Sequence, residues 1–357
     1  MRRIRKWPVL AAVVVALAAL AAGCGGDDES AATTEATSTP AATTESGAAG
    51  GIEAPADAGD VKKVAFFGFW KSNSFTQAVA KAVREETEQL GAQFVDLTGP
   101  TYDGVAQVKA MQDQTVKGDA QVYVVLATDP VGAGSAASEA TAKGITVVAA
   151  FTPFGGEFDT LEPQVDGTYV VGETPIANGT VLGELAASAC GDKSPCNVAY
   201  LQGLKSLPLD NARTDAFKAA LKENAPDSKL VADPEGGYTP ETGQKAAQDV
   251  MQAQPNVNVM VGSSQAILGA TDVVDTSKVM LIGNGSSTEA FDNVNSGDWY
   301  ALYYMDLDGM GKTSVDVGVL AANGESPPTS FNTQELHDPH GTKDVLADVE
   351  GIYSDLG

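Results

Sequence analysis

The chain has 357 residues, 47 Asp and Glu against 22 Lys and Arg, a net charge of −25, and three cysteines. That length fits two domains, at ~100–200 residues each. The acidity excludes a nucleic-acid partner, whose phosphates call for Lys and Arg, and an electrostatic hold on an anionic membrane; three cysteines exclude a disulfide-built scaffold.

Arg2, Arg3, Arg5 and Lys6 precede an apolar stretch from Val9 to Ala22. The stretch is shorter than the ~18–20 apolar residues of a membrane span, so residues 1–23 read as a signal peptide for export. Its end, Leu20-Ala21-Ala22-Gly23-Cys24, resembles a bacterial lipobox, with Ala21 where Leu is usual. The resemblance implies cleavage before Cys24 and a diacylglycerol on its thiol; a plain cleaved signal with a stray cysteine is the alternative. Removing residues 1–23 takes four positive charges and no negative one, which moves the net charge from −25 to −29. Lipid, not charge, is then the membrane anchor, and two or more acyl chains hold where one does not. Residues 24–60 read as the lipidated cysteine and a disordered tether, because Gly, Ala, Ser, Thr and acids without an aromatic, Lys or Arg bury too little to offset ordering. As a flexible coil the tether reaches roughly 30–36 Å.

From Val61 the pattern alternates strand and helix. Val61–Phe69 is an apolar β-rich run, and Phe75–Leu90 carries apolar residues at helical spacing up to Gly91. Strand Ala92–Leu97, helix Thr101–Lys117, strand Gln121–Ala127, helix Val131–Lys143 and strand Ile145–Phe151 follow. Gly118 and Gly144 end the two helices. The near-continuous apolar strands suit a parallel sheet covered on both faces. The later half repeats the order: helices over 177–189, 211–224, 240–254, 266–274, 288–296 and 309–322, and strands over 197–202, 229–233, 257–262, 278–283 and 299–305. Such alternation predicts an α/β protein of two doubly wound parallel-sheet lobes, with ligand groups just beyond the carboxyl ends of the strands. Val345, Val349 and Ile352 are spaced for a small docking helix in the tail.

Five blocks carry a resemblance: VAFFGFWKSNSFTQAVAKAVREETEQLGA, QVYVVLATDP, AYLQGLKSLPLDNARTDAFKAALKE, YTPETGQKAAQDVMQAQPNVNVMVGSSQAILGA and VMLIGNGSSTEAFDNVNSGDWYALYYMDLDGMG. In this order they resemble the type 1 periplasmic solute-binding proteins, above all the ribose- and galactose-type sugar binders of ABC importers, from about Lys62 to Glu335. The resemblance implies two lobes joined by three crossing strands, near Gly172–Pro175, Met305–Leu307 and Ser330–Glu335. The lobes are then residues 61–173 with 307–330, and 174–306 with 331–357. It also implies a monomer that meets an ABC permease, binds a small sugar-like solute, and uses neither cofactor nor metal.

Sugar pockets pair aromatic faces, which cover ring C–H surface, with planar polar groups that fix hydroxyls. The resemblance places Asn73 and Phe75 in the first ligand loop, with Phe69 and Trp70 entering it. It sets Asp129 after the third strand, Asn211 and Arg213 at a helix start, and Tyr238 on the opposite lobe. Ser263, Gln265 and Asn284 follow later strands, and Met305 and Asp306 mark the second crossing. Core packing is the alternative for Phe69, Trp70 and Phe75, a turn for Tyr238 and Asn284, a helix cap for Asp129, and a tie to neighbouring helices for Arg213. Where relatives carry Asp-Arg after the strand ITVVAAF, this chain has Phe151 and Thr152, with Phe154 close by. The Arg of relatives is absent at Asn211, and Asn284 replaces a loop Asp. The expected ligand is therefore a neutral sugar or polyol, with a nucleoside or amino acid as the alternative, since a buried unpaired charge is costly.

Other chemistry is weakly represented. The two histidines, His337 and His340, read as a solvated tail. Gly309-Met310-Gly311-Lys312-Thr313 lacks the earlier glycine of a phosphate loop, since position 306 is Asp. Cys190 and Cys196 flank a short loop and, in an exported chain, are expected as a disulfide worth about 2.4 kcal/mol by the chain-entropy model. The sequence thus reads as a lipid-anchored extracytoplasmic binder for an ABC importer and not as an enzyme. A receptor that passes occupancy to a signalling partner is the alternative.

Overall fold

The computed structural model describes residues 52–335, 340–347 and 349–356. The signal peptide, Cys24, the tether before residue 52 and His337 lie outside them. The first lobe starts with β1 (Lys63–Phe67), α1 (Ser74–Gln89), β2 (Gln93–Asp96), α2 (Gly104–Lys117), β3 (Val122–Leu126), α3 (Pro130–Thr141), β4 (Thr146–Phe151) and β5 (Thr168–Gly172). The second holds α4 (Pro175–Cys190), β6 (Asn197–Leu201), α5 (Pro208–Asn224), β7 (Lys229–Ala232), α6 (Pro240–Ala253), β8 (Val259–Ser263), α7 (Ser264–Thr271), β9 (Met280–Asn284), α8 (Thr288–Ser296) and β10 (Ala301–Tyr303). The chain then returns to the first lobe with α9 (Leu307–Ala322) and β11 (Ser330–Asn332), and a short helix α10 (Lys343–Leu346) follows on the second.

Both sheets are parallel throughout. Their orders are β11-β5-β4-β3-β1-β2 and β10-β9-β8-β6-β7. Each lobe therefore has the same winding, reversing direction between its first and third strands, β1 and β3 or β6 and β8. Crevices at such reversals, beyond the carboxyl strand ends, are where ligands bind in open α/β sheets. The strands earn their buried positions by composition: every residue of β3, Val-Tyr-Val-Val-Leu, is buried between helices. Side-chain caps fix the helix starts. Asn73, Asp103, Asp129, Thr174, Thr239, Ser263, Ser287 and Asp306 each accept a hydrogen bond from an N–H of the following turn. Cys190 and Cys196 form a disulfide that closes the α4–β6 loop.

Four features differ from the sequence reading. His340, read with His337 as a solvated tail, instead stacks on Tyr303 at 3.9 Å between centroids, and its Nδ1 accepts from Tyr304 N–H at 3.3 Å. Thr168–Gly172 is a strand that the pattern left unassigned, a five-residue run directly before the first crossing. The tether ends earlier than Val61: Ala58 is buried, its N–H donates to Leu90 O at 2.8 Å, and Asp60 N–H donates to Asn323 Oδ1 at 2.9 Å. The tail does not form the docking helix expected through Ile352. α10 stops at Leu346, and Leu346 is buried while Val345 faces solvent. Among the described residues no helix is long and apolar enough to cross a membrane.

Candidate functional site

Between the lobes lies a cavity of about 580 Å³, counted out to its mouth. Its first-lobe wall comes from the loop after β1 (Phe69, Trp70), the start of α1 (Asn73, Phe75), the β2–α2 loop (Tyr102) and the end of β4 (Phe151). These rings hold one another. Phe75 meets Phe151 edge-on at 5.2 Å between centroids, Phe69 stacks on Tyr102 at 5.9 Å, and Trp70 meets Tyr102 edge-on at 5.4 Å. Such contacts fix ring planes before any ligand arrives. Tyr102 is anchored by its hydroxyl, which donates to Thr128 O at 2.9 Å. Burial, with Asp210 and Asp129 nearby, holds that hydroxyl protonated well above the usual tyrosine range.

Phe151 reaches the cavity through an unusual backbone. Its φ is 77°, and Thr152 N–H donates to Ala150 O at 3.1 Å, so Phe151 is the centre of a γ-turn of the strained hand. Such strain costs of order 1–3 kcal/mol and persists only where the surroundings enforce it. Gly172, paired beside it on β5, makes the enforcement possible: a Cβ there would lie 2.1 Å from the Phe151 carbonyl oxygen.

The second-lobe wall holds Leu207 and Leu209 from the β6–α5 region, Arg213 on α5, Tyr238, Ser263, Gln265, Asn284, Met305 and Tyr353. Arg213 Nη1 donates to Asp210 Oδ1 at 2.8 Å and to the Tyr238 hydroxyl at 3.2 Å, while that hydroxyl donates to Asp210 Oδ1 at 2.6 Å. Burial alone would lower the Arg213 pKa; the facing Tyr238 and Asp210 outweigh it and keep the guanidinium charged. Burial and then Asp210 push the Tyr238 hydroxyl well above its usual value. The one charged side chain among the described residues of the cavity wall is thus neutralised from behind by Asp210, and Arg213 Nε is left buried without a partner. Its guanidinium carbon stands 6.0 Å from the centre of the Phe151 ring on the other lobe.

The remaining polar groups are partly engaged. Asn73 Oδ1 accepts from Thr76 N–H at 2.9 Å and from Thr76 Oγ1 at 3.1 Å, which leaves its amide nitrogen for the cavity. Ser263 donates to Gly237 O at 2.9 Å, and Gln265 Nε2 donates across the cleft to Ser74 Oγ at 3.1 Å. Asn284 exchanges two amide bonds with Asn178, at 3.0 and 3.2 Å. Asn178 also donates to Glu173 Oε1 at 2.8 Å, and Tyr303 donates to Glu173 Oε2 at 2.8 Å. Gln334 in turn donates to the Tyr303 hydroxyl. Glu173, Tyr303 and Gln334 stand at the first, second and third passages between lobes, so one polar chain runs from the cavity wall through all three.

Eleven of the residues expected from sequence are brought together here: Phe69, Trp70, Asn73, Phe75, Phe151, Arg213, Tyr238, Ser263, Gln265, Asn284 and Met305. Three are not. Asp129 is exposed and caps α3, accepting from Val131 N–H at 3.1 Å. Asp306 caps α9, accepting from Gly309 N–H at 2.8 Å. Asn211 is exposed on α5, its amide bound to Lys205 O at 3.1 Å. Sequence reasoning missed Tyr102, Leu207, Leu209 and Tyr353. The first three follow strands β2 and β6, where the strand-end rule could have found them; nothing local marks Tyr353. Among the described residues no cluster of three His, Cys, Asp or Glu could hold a metal ion.

Residues 64–326 match the family model described as a periplasmic binding protein domain. No curated protein matches the chain in sequence. Among solved structures, an ABC transporter solute-binding protein from Mycobacterium smegmatis with bound glycerol is 24% identical, with a TM-score of 0.69 over 82% of this chain and 97% of that one. A carbohydrate transporter solute-binding protein from Agrobacterium radiobacter in complex with D-arabinose is 19% identical, with a TM-score of 0.70 over 81% and 97%. An ABC transporter periplasmic solute-binding protein from Actinobacillus succinogenes with bound D-allose is 17% identical, with a TM-score of 0.67 over 76% and 95%. At these identities the likeness carries the fold.

Proposed function

The chain belongs to the periplasmic binding protein family, whose members bind solutes and are not enzymes, and from that premise we propose that it captures a small neutral sugar or polyol between its lobes and delivers it to an ABC permease. The observation that carries this reading is the balance of the cavity among the described residues: aromatic rings on one wall, amides and hydroxyls on the other, and a single cation already neutralised by Asp210. A ligand with net charge would bring into the cleft a charge that lacks a partner. Cyclic polyols offer the apolar C–H faces and hydroxyls that such walls complement. The neighbours in complex with D-arabinose and D-allose support the class. The protein performs no reaction; solute binding selects the closed form. In this proposal the protein acts as a monomer, anchored outside the cytoplasmic membrane by lipid on Cys24, and Cys24→Ser releases it into the soluble fraction. The stacked rings of Phe69 and Tyr102 favour a second reading, a nucleoside whose base takes the sugar's place.

A thermal-shift screen of the purified protein against pentoses, hexoses, polyols, nucleosides and amino acids tests this. A ligand at 100 times its dissociation constant stabilises by about 2.7 kcal/mol, a visible shift. A shift with one sugar or polyol class supports the reading. A shift confined to amino acids sinks it, and one confined to nucleosides selects the second reading.

A further inference from the structure

Residues 349–356 rest on the second lobe and reach the first. Thr288 N–H donates to Tyr353 O at 2.7 Å and Ile352 N–H to Ser286 O at 3.0 Å, so the segment lies beside the start of α8. Glu289 adds two bonds, from Ser354 Oγ at 2.6 Å and from Asp355 N–H at 2.8 Å. Gly351 fits this seat because it has no side chain: a Cβ there would lie 2.3 Å from Thr288 Cα. The footing therefore belongs wholly to the second lobe.

Three side chains leave that footing for the other lobe. Tyr353 lines the cavity and packs, with Ile352, against the first-lobe core. Asp355, 7% exposed, accepts from Ser74 Oγ at 2.8 Å. Ser74 opens α1 on the first lobe, and the partial positive charge of that helix end favours a carboxylate. The same Ser74 hydroxyl accepts from Gln265, so one first-lobe residue meets two second-lobe groups. The Ser287 and Ser264 hydroxyls of the second lobe also face this carboxylate, and Ser74 is its hydrogen-bond partner from the first lobe. Swinging the lobes apart would carry Ser74 away while the backbone and Glu289 bonds keep Asp355 where it is.

We propose that residues 349–356 form a latch, in which Asp355 grips Ser74 and shifts the solute-free chain toward the closed cleft, while Tyr353 serves as a wall of the solute cavity. The latch is independent of which solute the protein takes. A net hydrogen bond to a charged group corresponds to a shift of roughly tenfold or more in the ratio of open to closed forms.

Trp70 provides the readout. It sits at the cavity with Tyr238 of the other lobe beside it, while Trp299 is buried in the second-lobe core. Acrylamide quenching of the solute-free full chain, with the Trp70→Phe variant subtracted, isolates Trp70. We expect Asp355→Ala and Ser74→Ala each to raise the Trp70 quenching constant to a common higher level. The double variant then adds nothing, because the two act through one bond. Asp355→Asn keeps the acceptor oxygen and stays near the parent value. Circular dichroism and the quenching that remains in the Trp70→Phe background, both unchanged throughout, separate opening from unfolding. The latch is refuted if Trp70 in the parent is already as accessible as in the double variant. It is equally refuted if Asp355→Ala opens the cleft and Ser74→Ala does not, or if Asp355→Asn opens it as far as Asp355→Ala.

Discussion

The two walls of the cleft are built from different chemistry. The first lobe offers Phe69, Trp70, Phe75, Tyr102 and Phe151, with Asn73 as its one amide; the second offers Arg213, Ser263, Gln265 and Asn284, with Tyr238 and Tyr353 among apolar neighbours. Equal winding does not enforce equal walls, because the sheet order fixes where the loops lie and the loop residues decide what they do. The aromatic wall recognises shape and is ordered by its own ring contacts. The polar wall recognises hydroxyl positions and is ordered by a buried ion pair and an amide chain. A solute can therefore settle first on the stacking face and be checked for its polar pattern only as the lobes meet.

The comparison breaks hardest at the ion pair. Asp210→Ala leaves the Arg213 cation buried without its partner, and about 3–5 kcal/mol of stability is expected to be lost in urea unfolding, with solute binding lost as well. A result under 1 kcal/mol would mean that the polar wall is not held by this pair. The aromatic lobe carries its own charge problem away from the cleft. Burial, and next to it the Glu86 carboxylate, push Asp316 up to about 7 from the ordinary 3.8, between α1 and α9. Below the unfolded value both states are protonated and the contribution is complete. Between about pH 4 and 7 the folded state keeps a proton that the unfolded state has lost, so stability falls as pH rises, by roughly 4 kcal/mol in all. Asp316→Asn should remove this loss. Its melting temperature relative to the parent should climb across that window and level off above pH 7, and a flat difference refutes the assignment. The smallest effect is expected at Asn73→Ala: about 1 kcal/mol of stability from the lost cap of α1. In calorimetry with the solute found by the screen, affinity should also fall, because the free amide leaves with the cap; unchanged affinity would make Asn73 a cap alone.

Much of the architecture was legible because buried parallel strands are continuous apolar runs and the helices between them stop at glycines such as Gly118. β5 escaped because five residues next to a crossing leave little periodicity to read. In the cleft, the residues read from sequence stand where strand ends converge. Asp129 and Asp306 were misplaced for a physical reason: a helix cap and a ligand contact ask for the same side chains, and these two spend themselves as caps. Asn73 shows the overlap within one residue, its Oδ1 capping the helix while the side chain lines the cavity. Tyr353 could not be read at all, since its place depends on a footing laid by Ser286, Thr288 and Glu289 some 65 residues earlier.

The amide chain from Asn284 to Gln334 bears on how such a protein can diverge. A lineage that altered Asn284 to suit a new solute would also loosen Asn178, and with it Glu173 and Tyr303, the groups that pin the passages between lobes. Inherited change at that position arrives bundled with a change in how the molecule bends. Leu207 and Leu209 line the same cavity through side chains that bond to no crossing, so drift can test new specificities there one residue at a time.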